Sequence, residues 1–474
     1  MPLSNALRVS KNMSALFAGR LFDMVISFAF VIYIARLLGV VGFGQYALAQ
    51  RYFELFLSLS ATGLGIYITR EIAKQRSALH QYLNAAILMV TGLTFASGII
   101  LVGLAQLFHY ATETRAAIYL VVLALMPATI GAIFEAVFIA FEKAEYVSYG
   151  TIIESFLNTA LSLLVLFLGY GLFALFVVLI FARVFLLVFY LVCFQRKIAK
   201  LSWSIDWVFL QRVFREWRVF ALENWVSTIY GGLDIIILSS LQGEFAVGIY
   251  VAAAKLLRLG SIIAASYTTA IFPYMSRLFA ESKDIFKQLS ESSLKYMLAF
   301  IFPMAVTITV LANRIIVLLY TNKYNDSIPV LRVLAWLLVL DFFNPFFSHI
   351  LFARGEQCKS LYVAVIKISC FSLVSLWLIP HWGGVGAAWA QVISAGVACG
   401  FYFAFVLRGK GMLQTLWRLG QTLPAAISLG LFFLLLKDVE LIPLLAVGGV
   451  LYVFLLFLFR VLSTNDLKLL QGLK

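Results

Sequence analysis

The sequence predicts an all-α polytopic membrane protein with fourteen transmembrane helices: two pseudo-symmetric six-helix lobes and a terminal helix pair. Three observations predict it. Hydrophobic residues make up 63% of the 474-residue chain and charged residues 12%, with a mean hydropathy of +0.99; an ordinary soluble domain carries about 25% charged residues. Uncharged stretches recur at 82–108, 155–182, 296–313, 419–436 and 441–459, each near or above the ~20 residues that cross a ~30 Å hydrocarbon core. The chain also repeats itself. Gly39, Gly44, Tyr46, Ala49 and Arg51 return as Gly243, Gly248, Tyr250, Ala253 and Lys255, always 204 residues later, and self-similarity at long period marks a repeated structural unit.

The first lobe, residues 1–200, holds helices near 13–35, 44–69, 82–108, 116–140, 147–168 and 171–195. Arg8 and Lys11 precede the first helix, and Arg20 and Asp23 lie within it. It therefore lacks the short uncharged core of a cleaved signal and reads as a retained span. The stretch 155–182 with its flanks is long enough for two spans, turned at Gly169-Tyr-Gly171. Residues 201–217 read as an interfacial amphipathic linker. Trp203, Trp207, Leu210, Phe214 and Trp217 recur at spacings of four and three, with Arg212, Arg215 and Arg218 interspersed, a pattern suited to headgroup depth. The alternative is an extra-long start to the seventh span. The second lobe, residues 218–412, holds helices near 218–241, 245–272, 293–313, 328–352, 358–380 and 384–407. Gly384-Val-Gly386 before the twelfth helix matches Gly169-Tyr-Gly171 before the sixth at an offset of 215, a drift that loop insertions produce. Residues 413–474 supply helices near 419–436 and 440–461 and a cytoplasmic tail. Pro127, Pro303 and Pro345 fall inside spans, where proline kinks a helix.

Charge fixes the expected orientation. With the N-terminus inside, 24 Lys and Arg lie on the inner side, 6 on the outer and 6 within spans, out of 36. That asymmetry places both termini in the cytoplasm and reads the net charge of +14 as topology, with anionic membrane lipids rather than nucleic acid as its partners. Because six is even, the two copies enter the membrane in the same sense, as in parallel-repeat transporters. Cys193, Cys358, Cys370 and Cys399 show no CxxC spacing and read as packing residues, with no metal or cofactor expected. His80, His109, His349 and His381 are scattered near helix ends. The largest outer connection, near 314–327, is too short to hold a folded domain.

Away from span ends, the intramembrane charges are Arg20, Asp23, Arg51, Glu54, Glu135, Glu154, Arg183, Glu223, Asp234, Lys255, Arg258, Asp341 and Lys367. Each costs about 2.5–3.5 kcal/mol if left facing lipid at mid-bilayer, so most must face one another or water. Arg20/Asp23, Arg51/Glu54 and Lys255/Arg258 are spaced i,i+3 and share a helix face. Under the 204 offset the first copy offers a basic–acidic pair where the second offers two positive charges. One reading is a water-filled cavity between the lobes in which Arg20, Arg51, Lys255, Arg258 and Lys367 bind a diphosphate, because the arginine fork suits bidentate bonding to it. In that cavity Asp23, Glu54 and Asp234 are candidates to couple a proton or sodium ion. The other reading is that these charges, and above all Glu135, Glu154, Arg183, Glu223 and Asp341, are inter-helix salt bridges that fix packing.

With Asn12, Ala35-Arg-Leu-Leu-Gly39, Gly42-Phe-Gly44-Gln-Tyr46, Gly63-Leu-Gly65 and Arg70-Glu-Ile-Ala73, the chain resembles the Wzx-type polysaccharide-repeat flippases. These belong to the multidrug/oligosaccharidyl-lipid/polysaccharide exporter superfamily. Asp234-Ile-Ile-Ile-Leu238, Gly243, Gly248-Ile-Tyr250, Lys255 and Phe272-Pro-Tyr-Met-Ser276 carry the likeness through the second lobe. The resemblance implies the MATE-like fold of that superfamily, in a bacterial inner-membrane protein and not an enzyme. It implies movement of undecaprenyl-diphosphate-linked oligosaccharides to the periplasmic leaflet by alternating access, for O-antigen, capsule or exopolysaccharide, with polymerase and chain-length proteins as partners. It also implies cavity arginines on the first, second and eighth helices, where Arg20, Arg51 and Arg258 stand. Two alternatives remain at this stage: a cation-coupled multidrug exporter, which needs a cavity dominated by acids and aromatics, and a polytopic polymerase or glycosyltransferase, which commonly needs a large external loop.

Overall fold

The computed structural model describes residues 3–108, 110–204, 206–406, 422–436, 439–459 and 461, with the side chains of 3–26 and a few inner positions outside the description. Among the described residues twelve α-helices follow in order: α1 Leu3–Lys74, α2 Leu79–Leu107, α3 Thr112–Ala140, α4 Ala144–Phe167, α5 Gly171–Lys197, α6 Trp207–Tyr230, α7 Leu233–Glu281, α8 Lys283–Tyr320, α9 Ser327–Ala353, α10 Gln357–Val406, α11 Leu423–Leu435 and α12 Leu441–Leu458. Among the described residues there is no strand. Ten helical stretches there are long and apolar enough to cross a membrane, and Leu423–Leu435 is a shorter apolar helix. Phe95, Phe167, Leu373, Ile442 and Val450 are each more than two-thirds exposed. Apolar surface on that scale is the lipid face of a multi-pass membrane protein.

The three longest helices among the described residues, of 72, 49 and 50 residues, are each bent at a glycine of positive φ. Gly39 (φ 68°, ψ −176°) divides α1, Gly243 (φ 76°, ψ −174°) divides α7 and Gly383 (φ 51°, ψ −127°) divides α10. Only a residue without Cβ occupies that region readily, so these glycines are the turns where the sequence changes span. The matching dihedrals of Gly39 and Gly243 show that the 204-residue repeat is a repeat of structure. The connection after α8 is tighter than the sequence indicates. That helix reaches Tyr320, a short 3-10 turn covers Asn322–Tyr324, and α9 begins at Ser327.

The chain divides into two compact units, Met1–Gly248 and Ile249–Lys474. The α6 helix runs unbroken from Trp207 to Tyr230, so the amphipathic segment and the residues after it form one continuous helix. Its inner face packs along the second half of α1. The Trp225 indole N–H donates to the Leu59 carbonyl (2.8 Å), and the Ser58 and Thr228 hydroxyls meet at 2.9 Å. The Tyr67 hydroxyl donates to Glu216 (2.9 Å). Gly63 lies so close to α6 that a Cβ there would stand 3.2 Å from the Ala221 Cα. Polar bonds between membrane helices average about 0.6 kcal/mol each, so close approach over small residues is the larger part of this seam. Behind it, Leu64, Tyr67, Ile68, Leu83, Phe134, Phe138, Val213 and Trp217 form the core of the first unit. In the second unit Leu429 and Phe433 of α11 pack with Leu444, Tyr452 and Leu456 of α12, and the Tyr452 hydroxyl donates to the Ala299 carbonyl on α8 (2.9 Å).

Candidate functional site

The charged residues fall into separate sets, one or more in each unit. In the first, Arg51 lies two turns past Gly44 on α1. Its Nη1 donates to Glu54 Oε2 at 3.0 Å, and the side chains are 26% and 36% exposed. The i,i+3 pair expected from spacing therefore forms. Arg51 Nε is buried and has no hydrogen-bond partner; it lies 3.4 Å from where a Cβ on Gly232 would stand, and Leu55 Cδ1 lies 2.8 Å from that point. Gly232 belongs to the two-residue break between α6 and α7. A larger residue there would compete with Leu55 and crowd the arginine. Asp234, two residues on, sits in the first turn of α7, where its Oδ1 accepts from the Ile235 amide (2.8 Å). A carboxylate at a helix start is favoured by the backbone dipoles. Arg51 and Glu54 are thus in direct contact, and the Gly232 break brings the start of α7, with Asp234, next to them. Arg20 and Asp23 lie outside the residues whose side chains are described, as does Glu223.

A second ion pair in this unit follows the packing reading. Arg183 Nε on α5 is 3.6 Å from Glu154 Oε1 on α4, with side chains 24% and 10% exposed. The guanidinium lies 5.3 Å from the centroid of the Phe53 ring. It ties α4 and α5 to the back of α1.

In the second unit Lys255 is half-buried and Arg258 exposed on α7. Ser261, a turn further along, donates to Asp341 Oδ2 on α9 (3.3 Å). Lys367 on α10 is an electrostatic partner of Asp341. The sequence placed Lys367 among the diphosphate ligands and Asp341 among the packing charges; the structure sets the two together across α9 and α10. No spacing rule could have shown this, because the partners stand 26 positions apart on different helices. Also absent from the sequence reading is a buried hydroxyl chain in the first unit, in which Tyr110 meets Tyr52 at 2.9 Å and Ser239 at 3.0 Å.

Residues 9–279 match the family described as polysaccharide biosynthesis protein, which is more than half of the chain. The chain belongs to that family. Residues 236–465 also match the family described as lipid II flippase MurJ. A relative from Staphylococcus aureus, the capsular polysaccharide biosynthesis protein CapF, is 24% identical over 189 residues, 40% of this chain and 48% of the relative. The chain thus spans about half the length of that curated relative. Among solved structures, lipid II flippase MurJ in an inward closed conformation superposes with a TM-score of 0.77 at 14% identity, covering 95% of this chain and 98% of that one. An inward-facing multidrug resistance MATE family transporter of the MOP superfamily superposes with a TM-score of 0.64 at 17% identity, covering 85% and 96%. At such identities the likeness establishes the fold alone, shared with both of these transporters.

Proposed function

We propose that this polysaccharide biosynthesis protein is a flippase for undecaprenyl-diphosphate-linked oligosaccharide units. It would move them from the cytoplasmic to the periplasmic leaflet of a bacterial inner membrane by alternating access. The observation that carries the reading is the set of basic side chains, Arg51, Lys255 and Arg258, held within apolar helices of a chain of this family. Such charges are costly in lipid and have a use where an anionic group must be drawn through. Arg51, Lys255 and Arg258 bind the diphosphate, and Arg20 and Lys367 assist. The protein works as a transporter and not as an enzyme. Cutting α1, α7 and α10 at their positive-φ glycines, and counting α6 with the first part of α7 as one interrupted span, supports fourteen crossings with both termini in the cytoplasm. The flipped unit then passes to polymerase and chain-length proteins on the outer face. The MATE-like fold also suits a cation-coupled multidrug exporter, but the Lys255/Arg258 pair repels a cationic cargo.

The test is binding of undecaprenyl-diphosphate-linked oligosaccharide to purified protein. A charge-assisted hydrogen bond is worth about 1.5–3 kcal/mol, so Arg258→Ala should weaken binding roughly tenfold or more. Arg258→Lys should recover part of the loss, keeping charge without the fork. Equal affinity in the wild type, Arg51→Ala, Lys255→Ala and Arg258→Ala would overturn the assignment.

A further inference from the structure

The outward face of α6 carries a pattern that the packing of the first unit does not use. Val213, Trp217 and Ala221 form the buried face of that helix. On the other arc Trp207, Val208 and Phe214 are each more than half exposed, and Arg212, Arg215 and Arg218 are exposed among them. Trp203, in the connection before the helix, is also more than half exposed. Fixed bonds hold these aromatics outward. The Asn84 amide on α2 donates to the carbonyls of Ser202 (2.9 Å) and Ser204 (3.1 Å), which pins the connection. Asp206 then accepts from the amides of Val208 and Phe209, and Phe209 packs on Tyr82 of α2.

Carboxylates around this face are already engaged. Glu216 accepts from the Tyr67 hydroxyl (2.9 Å), and Glu71, near the end of α1, is bonded to Arg70 (2.7 Å) and Lys74 (3.0 Å). Arg70 and Arg212 both act on the Tyr82 hydroxyl, together with Glu71 and Glu216. The end of α1 and the start of α6 thus present one basic surface with exposed indole rings beside it. A guanidinium fork fits a phosphate, and tryptophan fits the border between headgroup and acyl chain. We propose that this face is a seat for an anionic phospholipid, with Arg212 and Arg215 on its phosphate and Trp207 and Phe214 against its apolar part. Occupancy also steadies α6 on α1. The helix is unbroken, it is bonded along α1 at Glu216, Trp225 and Thr228, and Gly232, just beyond its end, lies beside Arg51. That contiguous series of contacts is the physical route from the seat to Arg51. The seat itself stands on α6 and does not depend on what Arg51 binds.

The experiment places the full chain in nanodiscs of phosphatidylcholine with or without phosphatidylglycerol, and native mass spectrometry counts the lipid that stays on the released protein. The wild type should retain phosphatidylglycerol in preference to phosphatidylcholine. Each arginine removed in Arg212→Gln, Arg215→Gln and Arg218→Gln should weaken retention about fivefold. The charge-matched set Arg277→Gln, Lys283→Gln and Lys323→Gln, exposed positions of the second unit, should retain the lipid as the wild type does. Equal loss in both sets would show that net charge alone holds the lipid, and would overturn the seat. Should the triple variant fail to insert, Arg215→Gln by itself should still show the fivefold loss, and full retention there would overturn the proposal. Retention unaffected by Trp207→Ala with Phe214→Ala, or a polypeptide held on this face in place of phosphatidylglycerol, would overturn lipid as the occupant. Phosphatidylglycerol should slow hydrogen exchange across 209–230 in the wild type and not in the triple variant; equal exchange in both would overturn the steadying of α6. Arg51→Ala should keep the lipid while losing the diphosphate-linked substrate, so this inference and the proposed function fail separately.

Discussion

Arg51 and Arg183 show how differently two membrane arginines are held. Arg51 is bonded to Glu54 on its own helix, and both side chains keep a quarter or more of their surface exposed. A pair so placed is worth at most about 1 kcal/mol to stability, which leaves the charge available for a ligand. Arg183 meets Glu154 across two helices, with the carboxylate nearly buried. Removing one partner of a buried pair costs about 3–5 kcal/mol, because the other charge is left uncompensated. Glu154→Ala should therefore lower stability by about 3 kcal/mol, and adding Arg183→Leu should restore most of it. Glu54→Ala should stay within about 1 kcal/mol of the wild type. Thermal unfolding of the detergent-solubilised protein, arranged as a double-mutant cycle, measures all three. The Arg51–Glu54 pair was legible in the sequence because three residues bring side chains together on any helix. Arg183 with Glu154, and Lys367 with Asp341, depend on which helices become neighbours, and nothing in their spacing records that.

Among the elements, α6 carries most of the amphipathic stripe of the sequence on one unbroken helix. Nothing between Trp207 and Tyr230 breaks a helix: the stretch contains neither glycine nor proline. The aromatic stripe is also divided between two environments. Trp207 and Phe214 are exposed, whereas Trp217 is buried beside Val213, and Phe209 meets the Tyr82 ring edge-on at 4.9 Å. Periodicity showed an amphipathic helix but could not say which face meets protein and which meets the headgroups. The helix is started by Asp206, whose Oδ1 accepts from the amides of Val208 (3.0 Å) and Phe209 (3.1 Å). Asp206→Ala should cost about 1 kcal/mol and loosen only the first turns. Hydrogen exchange should quicken in 207–213 and stay unchanged in α3, and protection retained throughout α6 would contradict a capping role.

For the whole molecule, turns and span order were the most legible features, because glycine with positive φ and uncharged length are local properties. The pairing of α6 with α1 through Ser58, Leu59 and Gly63 was not, since it depends on which helices become neighbours. Energy coupling belongs to this scale too. Moving two negative charges outward across an inside-negative membrane gains about 2.3 kcal/mol per charge per 100 mV, so voltage alone can drive a diphosphate out. We propose that a proton or sodium ion is coupled as well, through Asp234 or Glu54, because Glu54 is already bonded to Arg51 and Asp234 heads α7, acids that binding a diphosphate does not require. In proteoliposomes with voltage, proton and sodium gradients clamped independently, transport should respond to one ion gradient, and Asp234→Asn or Glu54→Gln should abolish that response while leaving substrate binding nearly intact. Transport that follows voltage alone in the wild type would show that no ion is coupled.

The reciprocal contact of Gly44 and Gly248 also has the form of a symmetric interface. Two identical subunits related by a twofold axis bury the same patch on both, residue i meeting j and j meeting i. A single glycine per subunit would then serve both halves of the contact. Gly44 against Glu244 and Gly248 against Val40 have that form inside one polypeptide. The two positions share one constraint, since losing either glycine spoils a joint that the other cannot make alone. The sequence self-similarity is strongest around that same joint, beside the turns at Gly39 and Gly243.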